Sequence, residues 1–121
     1  MKAKTVKEVL IATRYIINKL DWCQGASYQT KTGKPIWGHH SINIPNISGC
    51  CLKGAISLVE MELENMFEGI EGAKSLIRKE IGQSRISQWN DTPGRTKQQV
   101  LDMLDGVIAK LDDKKWEGME A

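Results

Sequence analysis

Trp89-Asn90-Asp91-Thr92-Pro93-Gly94-Arg95-Thr96 is the densest run of ligand-capable groups in the 121-residue chain, and it leads into a strongly periodic helical stretch. Amide N–H groups of a first helical turn lack intrahelical acceptors and carry the positive end of the helix dipole. Thr96, Lys97 and Gln98 therefore offer donors to an anion. Arg95 adds a planar fork matched to phosphate oxygens, Trp89 a flat surface for a base, and Asn90 and Asp91 groups that read amide, amino or hydroxyl edges. The same residues also make an ordinary turn, since Asp-Thr-Pro-Gly is good turn chemistry and Trp89 suits a core plug. Gln24, an uncharged bidentate group near Trp22, fits a ligand or the core equally well.

Nucleophiles and metal ligands are less well placed. Cys23, Cys50 and Cys51 make an odd count, and an adjacent pair does not readily bridge to itself, so free and buried thiols are predicted. Cys50-Cys51 and His39-His40 are doublets without the spacer of about two to four residues that lets two ligands share a zinc ion, and no metal site is expected. A Cys-His pair is available in number only: no acid is placed to orient the base, and neither a Gly-x-Ser-x-Gly nor a phosphate-loop motif occurs. Asp91 and the Glu60, Glu64 pair are general bases by type, but Glu60 and Glu64 on one helix face also describe a solvated helix. No catalytic residue is assigned.

These residues must be held by a small scaffold. At 13.6 kDa, with 40% hydrophobic and 26% charged residues, the chain reads as one globular domain over residues 1–121. A net charge of +2 is too small to argue for DNA or an anionic membrane. Sign is unevenly distributed, however. Trp22 to Val59 holds no acid, Glu60, Glu62, Glu64, Glu68 and Glu71 come next without a base, and six basic residues oppose two acids from Gly72 to Lys97. Such asymmetry can build a local anion site or merely solvate helix faces. No apolar run approaches the roughly 18 residues of a membrane helix, and the N-terminal stretch is amphipathic, so neither a membrane span nor a secretory signal is predicted and a cytoplasmic protein is expected.

Thr5 and Glu8 match a capping box, and Val6, Val9, Leu10, Ile17 and Leu20 recur at helical spacing, predicting a first helix from about Val6 to Leu20. Lys31-Thr32-Gly33-Lys34 reads as a hairpin turn between Cys23 to Thr30 and Pro35-Ile36-Trp37. Gly38 to Gly49 has loop composition, with Ser48 placed to cap the next helix. Leu52, Ala55, Ile56, Val59, Leu63 and Met66 predict that helix, which is central. Gly25 and Gly54 allow the hairpin to press on its start with the cysteines between them. Gly69 and Gly72 bracket a break before a shorter helix through Ala73, Leu76, Ile77 and Ile81 that stops at Gly82. Ser84 to Gly94 reads as irregular. Thr96 and Gln99 form a second capping box ahead of Val100, Leu101, Leu104, Val107, Ile108 and Leu111, with a frayed tail after about Lys114. The expected class is α+β, with three to four helices and a small antiparallel β-hairpin or sheet.

Taken together, Trp22-Cys23-Gln24-Gly25-Ala26, Cys51-Leu52-Lys53-Gly54-Ala55 and the Trp89 to Thr96 string resemble a small phage and bacterial domain family, much of it without assigned function. Over nearly the whole chain they look similar to the phage-encoded Thoeris anti-defence sponges. That resemblance implies a non-catalytic, homodimeric or higher homo-oligomeric protein without a cofactor. It would bind a cyclic ADP-ribose isomer, 1''-2' glycocyclic ADP-ribose, and withhold it from the host's NAD-consuming effector, with cyclic oligonucleotides such as cyclic trinucleotides held at separate sites. By position in the matching strings, Gln24, Asn90, Asp91, Arg95 and Thr96 are the implied ligand contacts and Trp89 a lining or packing residue. Arg85, Lys53, His39 and His40 form a second rank. The competing readings are a small nucleotide-processing enzyme using Asp91 or a histidine, and a phage structural or interaction module in which the Trp89 segment is a well-packed turn.

Overall fold

The structure is a computed structural model that describes residues 2–36, 47–62 and 67–120. His39, His40, Trp37, Leu63 and Met66 lie outside the described residues. The described residues form five helices and four short strands in the order α1 (Lys2–Lys19), β1 (Asp21–Trp22), β2 (Tyr28–Thr30), β3 (Pro35–Ile36), β4 (Ile47–Cys50), α2 (Leu52–Glu62), α3 (Phe67–Ile81), α4 (Ile86–Asn90) and α5 (Lys97–Glu120). The fold is α+β.

Each long helix buries the stripe its spacing marks out. On α1, Val6, Val9, Leu10, Thr13 and Ile17 are buried, the Thr13 hydroxyl donating back to Val9 O at 2.8 Å. On α5 the stripe is Val100, Leu101, Leu104, Val107 and Leu111. α2 is the innermost helix, with Leu52, Gly54, Ala55, Ile56, Leu58 and Val59 all buried. Withdrawing a Leu or Ile side chain of this kind from water contributes about 1.5–3 kcal/mol, so these stripes dominate the stability. α1 packs against α2, α3 and α5, and the sheet joins the helices through β1 on α1 and β4 on α2.

The hairpin forms where its turn residues place it, β2 pairing antiparallel with β3 in the register Tyr28↔Ile36. The sheet order is β1-β4-β2-β3, with β4 antiparallel to β2 but parallel to β1. It is therefore mixed rather than wholly antiparallel, because the chain enters β1 straight from the end of α1 and returns to β4 only after the hairpin.

Several local expectations need correction. Thr5 lies inside α1, which starts at Lys2, so Thr5 and Glu8 do not form an N-terminal capping box. Ser48 belongs to β4 and gives its hydroxyl to Thr30 O at 2.8 Å instead of capping a helix. Gly69 and Gly72 lie within α3 and do not break it: a Cβ would stand 2.5 Å from Thr5 Cγ2 at Gly69 and 2.6 Å from Val6 Cγ2 at Gly72. Missing side chains here let α3 sit close against α1. The segment read as irregular contains α4, and α5 runs through Glu120, past Lys114, where polar composition suggests fraying.

Candidate functional site

The three unusual strings meet at one place, and Asn90 is its centre. Asn90 ends α4 and is fully buried. Its Oδ1 accepts from Trp22 Nε1 at 2.7 Å and from the Leu52 backbone N–H at 3.0 Å, and its Nδ2 donates to Cys23 O at 3.1 Å and Asp91 Oδ1 at 2.9 Å. Both donors and both lone pairs of the amide are thereby used. Gln24 Nε2 donates to the backbone carbonyls of Asn90 and Thr92, both at 3.0 Å, and the Gly25 N–H donates to Asp91 Oδ1 at 3.0 Å. One short strand end, one helix start and one helix end are joined by side-chain amides.

The start of α2 belongs to the same knot. Ala55 N–H donates to Cys51 O at 2.9 Å, which makes Cys51 the N-cap residue, and Cys51 Sγ accepts from the Gly54 N–H at 3.2 Å. With Asn90 taking the Leu52 N–H, two orphan donors of the first turn are satisfied. Gly54 has no room for a side chain, since a Cβ would overlap the Ser27 carbonyl oxygen, which itself accepts from Cys51 N–H at 3.0 Å. This is the close approach of hairpin and helix that Gly54 suggests. Gly25 serves differently: open space surrounds it, and its φ of +82° turns its N–H toward Asp91.

Cys23, Cys50 and Cys51 are free and buried. Burial, followed by the neighbouring Cys51, pushes the Cys23 and Cys50 thiols up to about 12. Burial also raises Cys51, although the Gly54 N–H draws it the other way. Thiols held protonated in this way are poor nucleophiles at neutral pH. Among the described residues no cluster of His, Cys, Asp and Glu could hold a metal ion.

Beyond the knot the chain turns outward. Arg95 N–H donates to Thr92 O at 3.0 Å across Pro93 and Gly94, and Gly94 has φ +85°, the pattern of a type II turn with Pro second and Gly third. This turn folds Arg95 back over Trp89. The guanidinium carbon lies 3.9 Å from the indole centroid, and Nε donates to Trp89 O at 3.1 Å. Trp89 is buried, so the indole is both core plug and platform. The expected capping box is present at the start of α5: Thr96 N–H donates to Gln99 Oε1 and Gln99 N–H to Thr96 Oγ1, each at 3.1 Å. First-turn amides of Lys97 and Gln98 keep no intrahelical acceptor. The Lys97 ammonium is directed elsewhere, donating to Leu20 O at 2.9 Å and Asn18 O at 3.2 Å at the negative end of α1.

The sequence-selected residues thus fall into three groups. Gln24, Asn90 and Asp91 are bonded to one another's segments, Asn90 as an internal clamp and the other two exposed. Trp89, Arg95 and Thr96 form the adjoining outer edge. Arg85 and Lys53 are exposed at the first turns of α4 and α2, outside the hydrogen-bond cluster. Sequence reasoning misses Trp22, the Leu52 N–H and Lys97 Nζ as partners. Their only signal is the presence of a donor, and which acceptor it meets depends on the assembled fold.

Among the described residues no helix is long and apolar enough to cross a membrane. Comparison with curated proteins gives no match, and comparison with solved structures gives none either. Residues 1–110, which include the whole knot and its outer edge, match one family description, and the chain belongs to that family of unknown function, DUF6197.

Proposed function

We propose that the chain is a non-catalytic binding protein that sequesters a phosphate-bearing nucleotide. The ligand would be a cyclic ADP-ribose isomer such as 1''-2' glycocyclic ADP-ribose, withheld from immune signalling in the host cytoplasm as the Thoeris anti-defence sponges it resembles do. It would act as a homodimer or higher homo-oligomer, with cyclic trinucleotides as a second ligand class. The observation that carries this reading is Arg95, whose guanidinium is held over the Trp89 ring beside the start of α5. A fork fixed before the ligand arrives loses little freedom on binding. Its terminal N–H groups, with the Lys97 and Gln98 amides, suit phosphate oxygens, while Asp91 at the exposed rim suits ribose hydroxyls. Asn90 acts in this reading by holding Asp91 and Gln24 in place.

Calorimetric titration with ADP-ribose, its cyclic isomers and cyclic trinucleotides tests the proposal, followed by heat release and chromatography of the ligand. Submicromolar binding of a cyclic isomer that is recovered unchanged, lost by at least about tenfold in Arg95→Ala, is the expected outcome. Binding with an altered product would make the protein an enzyme. The saturated hydrogen bonding of Asn90 favours one other reading, an interaction module in which the strings serve the fold alone. Absence of binding across the panel would leave that reading standing.

A further inference from the structure

A helix packed on a core shows polar residues on its far side, and α1 departs from this. Ile11 and Tyr15 are 48% and 59% exposed. Ala12 and Ile16 beside them are partly buried, and together with Glu8 these four line an open trough along the helix. α2, α3 and α5 pack on the core side, and Arg14 fastens the flank of α1 to Asp105 of α5 at 2.5 Å. Among the described residues, two large apolar side chains are thus left about half exposed on this face.

The order of residues on this face says what fits it. Glu8, Ile11, Ala12, Tyr15, Ile16 and Lys19 recur at helical spacing, and they are symmetric about the point between Thr13 and Arg14. Glu8 and Lys19 are equidistant from it, as are Ile11 and Ile16, and Ala12 and Tyr15. A two-fold axis through that point brings unlike members of each pair together. We propose that this face of α1 docks on the same face of a second copy of the chain, with the two helices antiparallel. Tyr15 then lies over Ala12 of the partner subunit, Ile11 against Ile16 of the partner subunit, and Glu8 against Lys19 of the partner subunit. Lys19 is already steadied at the end of the face, its Nζ donating to Tyr15 Oη at 3.2 Å and standing 5.5 Å from the ring centroid. Charge selects the antiparallel arrangement, because a parallel pair would set Glu8 against Glu8 and Lys19 against Lys19. The small Ala12 near the centre permits the usual helix separation of about 8–10 Å. One helix pair buries less than the roughly 1,200 Å² of a standard interface, the size class of weak and transient contacts, so a weak dimer is expected. The inference gives the homo-oligomer of the proposed function a contact face and rests on that part of the reading, while the nucleotide part is tested separately, since the face is on α1 and its loss leaves Arg95 in place.

Sedimentation equilibrium of the full chain from micromolar to near-millimolar concentration tests it, with far-UV circular dichroism confirming the fold of each variant. The expected mass rises from 13.6 kDa toward twice that value, and Tyr15→Glu holds it at the monomer throughout. Glu8→Lys and Lys19→Glu each weaken the dimer about tenfold, because the two-fold repeats each like-charge contact. An equimolar mixture of these two single variants, and the Glu8→Lys/Lys19→Glu double variant, regain wild-type association. A wild-type chain that stays monomeric, a dimer indifferent to Tyr15→Glu, or charge variants that associate like wild type would each overturn the proposal.

Discussion

Asn90 is the residue on which most of the chain's unusual strings converge, and its environment separates a scaffold role from a ligand role. Replacing it with Ala would strip partners from Trp22 Nε1, the Leu52 N–H and Cys23 O at once. A buried polar group left unpaired costs about 1–3 kcal/mol. Asn90→Ala should therefore lower the unfolding free energy by about 3–5 kcal/mol in urea denaturation, among the larger single-residue effects. Asn90→Asp tests shape against bonding, since it keeps two acceptors, loses both donors and sets a second carboxylate beside Asp91; it should fall in the same range. Gln24→Ala should cost only about 1 kcal/mol, because Gln24 is exposed and its bonds to the Thr92 and Asn90 carbonyls are exposed and part-buried, within reach of water that can replace them. If Asn90→Ala left stability unchanged, the clamp would be refuted.

At the scale of elements, what could be read in the sequence depended on whether the deciding contact was local. The stripes of α1, α2 and α5, the Lys31 to Lys34 turn and the Thr96, Gln99 capping box all rest on residues within a turn or two of one another, and the sequence anticipates them. β1 joined parallel to β4, and the capping of the Leu52 N–H by Asn90 from α4, rest on partners far along the chain. No periodicity encodes these. Gly69 and Gly72 show the ambiguity best: local preference reads helix breakers, whereas the fold uses them as thin places where α3 meets α1. Three of the helical glycines, Gly54, Gly69 and Gly72, should respond to Ala in a fixed order. Gly54→Ala meets the Ser27 backbone carbonyl, which cannot yield without moving the hairpin, and should cost about 3 kcal/mol. Gly69→Ala meets the Thr5 methyl at 2.5 Å and the Thr5 carbonyl oxygen at 3.2 Å. Its cost should be about 1–2 kcal/mol after the helix preference for Ala is counted. Gly72→Ala meets only the Val6 side chain, and the propensity gain of about 1 kcal/mol should leave it near neutral. Thermal unfolding of the three variants checks the ranking, and a Gly54→Ala protein as stable as wild type would contradict the packing.

For the molecule as a whole, the three thiols link stability to the functional reading. They come from the end of β1, from β4 and from the cap of α2, and all lie where sheet and helices meet. The folded protein raises Cys23 and Cys50 from 9.0 to about 12, chiefly by burial. A folded state that holds these protons more tightly than the unfolded chain gains from them fully below the ordinary thiol value and loses that gain as pH rises toward the folded value. The urea midpoint should hold steady with respect to these thiols between neutrality and pH 9 and then fall steeply toward pH 12. Cys50→Ala should be less stable than wild type at neutral pH, because it opens a small cavity, yet fall less steeply above pH 9. The same burial governs reactivity. A disulfide reagent at pH 8 should modify native protein only as fast as it unfolds or opens locally, with all three thiols reacting rapidly once urea is added. One thiol that reacted at once in the native protein would reveal an accessible thiolate, and the reading as a binding protein would have to yield to one with cysteine chemistry.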